Sequence, residues 1–187
     1  LRRVGKVAVV GAVYHIPAGP HPDFVPVNVL TDILSNSPTG RLYKSLVETK
    51  RAASLQGDAY AFHDPGVIEL MAEVTPGNDP RDVLTRLTDT IDLVASKGVT
   101  EEEVKRTQAR FLRQREQASN NTSQLAIQLS EWAAQGDWRL YFIARDRLEK
   151  VTPADVQRVA KTYLVANNRT VGLFRPTKVA SRTAIPT

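Results

Sequence analysis

From residue 4 to residue 17 the chain reads Val-Gly-Lys-Val-Ala-Val-Val-Gly-Ala-Val-Tyr-His-Ile-Pro, rich in β-branched residues and apolar at both odd and even positions. That pattern predicts a central strand covered on two sides. Gly-Pro-His-Pro-Asp-Phe (19–24) is a turn, after which Asp23 is placed to cap a helix over residues 24–36 with Val27, Leu30 and Leu34 on one face. Ser-Asn-Ser-Pro-Thr-Gly (35–40) breaks the chain. Leu42, Leu46 and Val47 then return to helical spacing, with Lys44, Lys50 and Arg51 off the stripe. Residues 54–62 and 66–75 alternate as two strands, joined by a hairpin loop at His63-Asp64-Pro65-Gly66. Glu69 and Glu73 fall on the water-facing side of the second.

Beyond residue 79 the period becomes helical. Asp79-Pro80 opens a helix that Gly98 ends, with Val83, Leu84, Leu87, Ile91, Val94 and Ala95 as its buried stripe. Thr100 and Glu103 form a capping box for a second long helix. A third carries Leu125, Leu129 and Trp132 and stops at Gly136. Asp137 caps a fourth with Trp138, Tyr141, Phe142 and Leu148. Thr152-Pro153-Ala154-Asp155 caps a fifth, with Val156, Val159, Ala160 and Tyr163 inward. Residues 169–176 read as a closing strand and 177–187 as a linker. The sum is an α+β domain over residues 1–176, a two-layer arrangement in which a mostly antiparallel sheet is covered by several helices. The end strands pair with the central hairpin in one sheet.

Composition narrows the class without fixing it. A chain of 187 residues, 42% of them apolar, supports one domain with a single core. No apolar run approaches the ~18–20 residues that span a bilayer. The start has basic residues before apolar ones, but it lacks an initiator Met and a small-residue cleavage site. It reads as the opening of a sheet, so the chain is expected to be a piece of a longer protein. The absence of cysteine excludes disulfides, thiol catalysis and thiolate metal sites. The net charge is +5 and the pI about 9.6. The cations are scattered among acids, which favours a solvated mixed surface over a nucleic-acid footprint.

Nor do the residues assemble a catalytic set. A helical zinc site needs two histidines at i, i+4 with a Glu beside the first. His15 sits on a strand, His21 in a turn and His63 in a loop, at no ligand spacing, so no metal is expected in this chain. Glu101–Glu103 fall in a first helical turn, where capping explains them. Neither Gly-x-Ser-x-Gly nor a P-loop nor a dinucleotide fingerprint occurs. Tyr141 and Phe142 beside Arg139, Arg145 and Arg147 favour core packing over base stacking.

Several stretches taken together nevertheless resemble a known family: Tyr14–Phe24, Gly40–Ser54, His63–Val67, Leu129–Leu164 and Asn168–Phe174. They are similar to the second, non-catalytic domain of M16 (insulinase, or pitrilysin) zinc peptidases, above all the long bacterial members, over residues 2 to about 176. The resemblance implies a clamshell of homologous α+β domains, two in each half. In it the first domain carries His-x-x-Glu-His and a later Glu as zinc ligands. There zinc would polarise the scissile carbonyl while the motif Glu activates water. This sequence has no His-x-x-Glu-His, which agrees with the inactive domain. The implied partners are the adjacent catalytic domain, the other half of the clamshell, and peptide substrates. The cofactor is zinc in the parent's catalytic domain, with none in this chain. The implied compartment is the periplasm.

The resemblance also bears on particular residues. Some non-catalytic domains of the family supply an Arg and a Tyr that hold substrate backbone near zinc. At those positions stand Val47 and Ser54, so this domain is not expected to supply the pair. In one family member the matching turn before the basic helix holds a peptide's N-terminus. Here that turn gives Asn36, Ser37, Pro38 and Gly40 as candidate substrate contacts, without an acid to pair with an ammonium group; a plain structural turn is the alternative. Two other functions stay open, a proteolytically inactive M16-like scaffold or partner subunit, and a basic nucleic-acid-binding module.

Overall fold

The computed structural model describes residues 2–178. Five strands form one sheet: β1 (Arg2–Val4), β2 (Val9–Ile16), β3 (Ala52–Tyr60), β4 (Gly66–Val74) and β5 (Arg169–Thr177), in the order β1-β5-β2-β4-β3. Every pairing is antiparallel except β1 with β5. Six α-helices accompany it: α1 (Phe24–Ser35), α2 (Pro80–Lys97), α3 (Glu101–Ser119), α4 (Thr122–Ala134), α5 (Leu140–Leu148) and α6 (Pro153–Tyr163). The α+β class, the hairpin and its place in one sheet with the end strands agree with the sequence reading, but only β2 pairs with the hairpin, through β4, and β5 joins through β2.

The core lies between one face of the sheet and helices α1, α2 and α6. Val10, Ala12, Tyr14 and Ile16 of β2 and Ile68, Leu70, Ala72 and Val74 of β4 point into it. α1 is buried on almost every side, as its near-continuous apolar run requires. α2 buries Val83, Leu87, Ile91 and Val94, whereas Leu84 and Ala95 are only half-buried. Both capping boxes form, with the Glu103 N–H donating to Thr100 Oγ1 and the Asp155 N–H to Thr152 Oγ1, each at 3.2 Å.

Four expectations need correction. β2 is covered on one face, not two; Val9, Gly11 and Val13 on the other are half-buried and His15 is exposed. The long first strand is in fact two, because the chain bends at Gly5–Ala8 and β1 crosses to pair with β5. Asp23 stands at the N-cap of α1 with helical backbone and makes no cap bond. Its carboxylate instead accepts from Arg158 at 2.7 Å and the Tyr163 hydroxyl at 2.9 Å, tying α1 to α6. The Arg158 bond holds the Asp23 carboxyl below its usual range. Lastly, the basic helix is a short turn: residues 43–47 are π-helical, and Lys50 adopts φ 58° so that the chain can reverse into β3. Thr177 belongs to β5, and residues 179–187 of the expected linker lie outside the described residues.

Candidate functional site

The turn singled out by sequence is built by local hydrogen bonds at the end of α1. The Asn36 N–H donates to Asp32 O at 2.9 Å, Thr39 Oγ1 to Asn36 Oδ1 at 3.1 Å, and the Gly40 N–H to Asn36 O at 2.6 Å. A Cβ on Gly40 would stand 2.6–2.7 Å from backbone atoms of Asn36 and Leu34. Only glycine permits this close approach. Ser37 and Pro38, joined by a cis peptide bond, form the exposed tip. The four candidates thus share one turn, in which Asn36 and Gly40 hold the shape and Ser37 and Pro38 face solvent.

A polar hollow of about 560 Å³ adjoins this turn, between α1, β3 and α3. Asn36, Asp32, Gln56 and Arg110 are among its walls. Asp32 is 9% exposed and accepts from Thr107 Oγ1 at 2.7 Å and from Arg110. The Asp32 carboxylate is therefore already engaged from within the protein, and Asp58 of β3 also lines the hollow. Among the described residues Arg110 Nε is buried without a hydrogen-bond partner, and the guanidinium lies 4.7 Å from the Phe111 ring centroid. Ser35 Oγ donates to Gly57 O at 3.2 Å, stitching the end of α1 to the edge strand β3. Of these, Asp32, Thr107 and Arg110 escaped the sequence reading. Their one local signal was an acid inside the apolar run of α1.

The basic turn is fastened from its other side. Arg41 donates to Glu103 through Nε at 2.8 Å and Nη2 at 2.7 Å, a two-pronged pair linking it to α3. Burial by itself would raise the Glu103 pKa. The hydrogen bonds from Arg41 and the Thr100 N–H outweigh it and lower the value to about 2. Val47 ends the π-helical turn half-buried, and Ser54 lies in β3 opposite Glu73.

A second, more apolar hollow of about 290 Å³ lies among α1, α3, α4 and α5, with Phe24, Phe111, Trp132 and Leu148 in its walls. Arg115 enters it, donating to Tyr141 O at 2.6 Å with its guanidinium carbon 3.7 Å from the Tyr141 ring centroid. Burial pushes the Arg115 pKa down.

Zinc finds no fit here. His15 is in β2, His21 accepts the Asp23 N–H at Nδ1, and His63 lies 3.6 Å from Asp64 in the β3–β4 loop. Among the described residues no three His, Asp or Glu side chains come together as a metal site. No catalytic step is assigned to this chain.

Comparison with known proteins supplies the context. Residues 2–111 match the family model for the peptidase M16 inactive domain. The crystallised inactive peptidase domain of a protein assigned as a zinc protease from Bordetella parapertussis is 39% identical, with a TM-score of 0.87 over 99% of both chains. A protein assigned as a zinc protease from Bordetella pertussis is 38% identical, with a TM-score of 0.84 over 94% of this chain and 98% of that one. The periplasmic protease PqqL from Escherichia coli has the same fold at 18% identity and a TM-score of 0.77; the match takes 95% of this chain and 20% of PqqL. No curated protein sequence matches. An α+β domain with these neighbours, matched by the inactive-domain model over more than half its length and without His-x-x-Glu-His, belongs to the M16 peptidase family as one of its inactive domains.

Proposed function

We propose that this chain is the non-catalytic domain of a zinc metalloendopeptidase that cleaves peptides in the periplasm, where it packs against the zinc-bearing domain and forms part of the substrate chamber wall. The observation that carries this reading is the near end-to-end match with an inactive peptidase domain of a Bordetella zinc protease. The lack of His-x-x-Glu-His in the sequence supports it. The chain's share of the work is shape. It holds a rigid sheet and a helical layer beside the reacting centre, and it excludes bulk water and folded proteins from the chamber.

The turn Asn36–Gly40 is the segment we place against the peptide. Ser37 and Pro38 are exposed, and Asn36 reaches the polar hollow beside them. Asp32 beside them is engaged by Thr107 and Arg110, and contact of Asn36 and Ser37 with a peptide would be by hydrogen bonds.

The test is reconstitution. This chain alone is expected to bind no stoichiometric zinc and to cleave no peptide, and the parent containing it is expected to cleave unfolded peptides. A parent that binds no zinc and cleaves nothing would leave the scaffold reading in its place. In an active parent, Ser37→Arg together with Pro38→Ala should raise KM with kcat unchanged. Unaltered KM would remove the turn from the substrate path.

A further inference from the structure

The apolar hollow among α1, α3, α4 and α5 holds a charge that the chain leaves uncompensated. Arg115 reaches it from α3, with Phe24, Phe111, Trp132 and Leu148 as neighbouring walls. Its Nη2 donates to Tyr141 O, and among the described residues its other nitrogens have no hydrogen-bond partner in the chain. Among the described residues no acid pairs with it either. Asp146, close enough to be felt, is held by Arg145 at 2.7 Å and 2.9 Å. A cation among apolar side chains without an opposite charge costs free energy, and the lowered Arg115 pKa is the sign of it. A carboxylate in the hollow would remove that cost, because guanidinium and carboxylate match as a two-pronged pair.

The other polar groups of the hollow narrow the anion. Of residues 24–34 in α1, only Asn28 is not fully buried, and it faces this space. Its amide, the amide of Gln128 and the indole N–H of Trp132 make no hydrogen bond within the chain among the described residues. Together they offer donors and acceptors beside aromatic walls. A carboxylate on Arg115, an apolar body between the rings and an amide answered by Asn28 and Gln128 describe the last residue of a peptide. A plain fatty acid would leave the amides idle. The volume, about 290 Å³, has room for one such residue. Asn28 and Phe111 are also walls of the polar hollow beside the Asn36–Gly40 turn, so the two spaces adjoin.

Resting on the function proposed above for its supply of peptides, we infer that this hollow binds the C-terminal residue of a peptide, with the carboxylate on Arg115 and a leucine-sized side chain against Phe24, Phe111 and Trp132. Each cut made by the parent creates such an end. The hollow therefore holds a cleaved fragment, or a substrate by its tail, at a distance from the reacting centre.

The test titrates this chain with N-acetyl-leucine and follows tryptophan emission, in a Trp138→Phe background so that Trp132 is the one reporter. A saturable change with a Kd of about 1 mM is expected for a ligand this small. N-acetyl-leucinamide, which lacks the charge, and octanoate, which lacks the amide, should each bind at least about tenfold more weakly. Because Arg115 also bonds α5 through Tyr141 O, the variant of choice is Ala144→Leu, which fills the hollow and keeps Arg115. It should lose the emission change and hold its thermal midpoint. No saturable change below about 20 mM, equal binding of the amide or of octanoate, or undiminished binding by Ala144→Leu would overturn the inference. The two readings fail separately. Binding is read on this chain without zinc or cleavage, so an inactive parent leaves the site standing, and a chain that binds nothing leaves the peptidase standing.

Discussion

α2 and α4 have much the same share of large apolar residues, and the molecule treats them in opposite ways. α2 places Val83, Leu87, Ile91 and Val94 along one line, and all four are fully buried. In α4, Leu125, Leu129 and Trp132 also share one line, yet they are only half-buried, and Ile127 off that line is 58% exposed. Position in the fold decides which stripe joins the core: α2 lies against β2 and α6, whereas α4 lies over α3 and α5, away from the sheet. The contrast extends to the neighbouring elements. α1, α2 and α6 meet the sheet, whereas α4 leans on α3 and α5, and α5 on α4 and α1, and Phe142 remains 42% exposed beside buried Tyr141.

Truncation should show the largest difference. Leu87→Ala opens a cavity under the sheet and should cost about 3 kcal/mol in a denaturant titration. Ile127→Ala should stay within about 0.5 kcal/mol. Equal costs would mean that α4 is packed as firmly as α2.

Helix caps sharpen the contrast at a smaller scale. Thr100→Ala removes one half of the box that starts α3 and should lower global stability by about 1 kcal/mol. Asn121, whose Oδ1 accepts the N–H groups of Ser123 and Gln124, starts α4 in the same way. Asn121→Ala should speed amide exchange within α4 and move the global transition by less. A drop as large as that of Thr100→Ala would make the α4–α5 pair part of the cooperative unit.

Acid should affect the firmly packed part through Glu103. Its folded-state pKa of about 2 lies below its ordinary 4.5, so the carboxylate's contribution is complete above the ordinary value. It disappears as the pH falls through about 2. Arg41→Ala should flatten this part of the stability profile and lower stability at neutral pH by the amount of slope lost, a modest amount because the pair is partly solvated. An unchanged slope between those two values would remove the pair from the acid response.

The elements with strong local chemistry were legible in the sequence. Asp79-Pro80, the two capping boxes and the β3–β4 hairpin each carry a start or stop signal within a few residues, and each formed as read. What stayed hidden depends on partners far along the chain. Asp23 looks like a cap until α6 brings Arg158 to it, and Asp32 looks misplaced until α3 brings Thr107 and Arg110. The short β1 has no pattern of its own and exists because β5 gives it a neighbour. At the candidate site, the sequence located the turn and its glycine, and the hollow beside it became visible only when three distant segments met.

Both tryptophans of the chain, Trp132 and Trp138, belong to the loosely held segment, one in α4 and the other in the link to α5, 53% exposed. The intrinsic fluorescence of this domain is therefore a private channel of that segment and carries almost no signal from the sheet. In a denaturant titration, the emission maximum should shift to the red before far-ultraviolet ellipticity falls, and a docked neighbour that touches α4 or α5 should announce itself as a blue shift without any added dye.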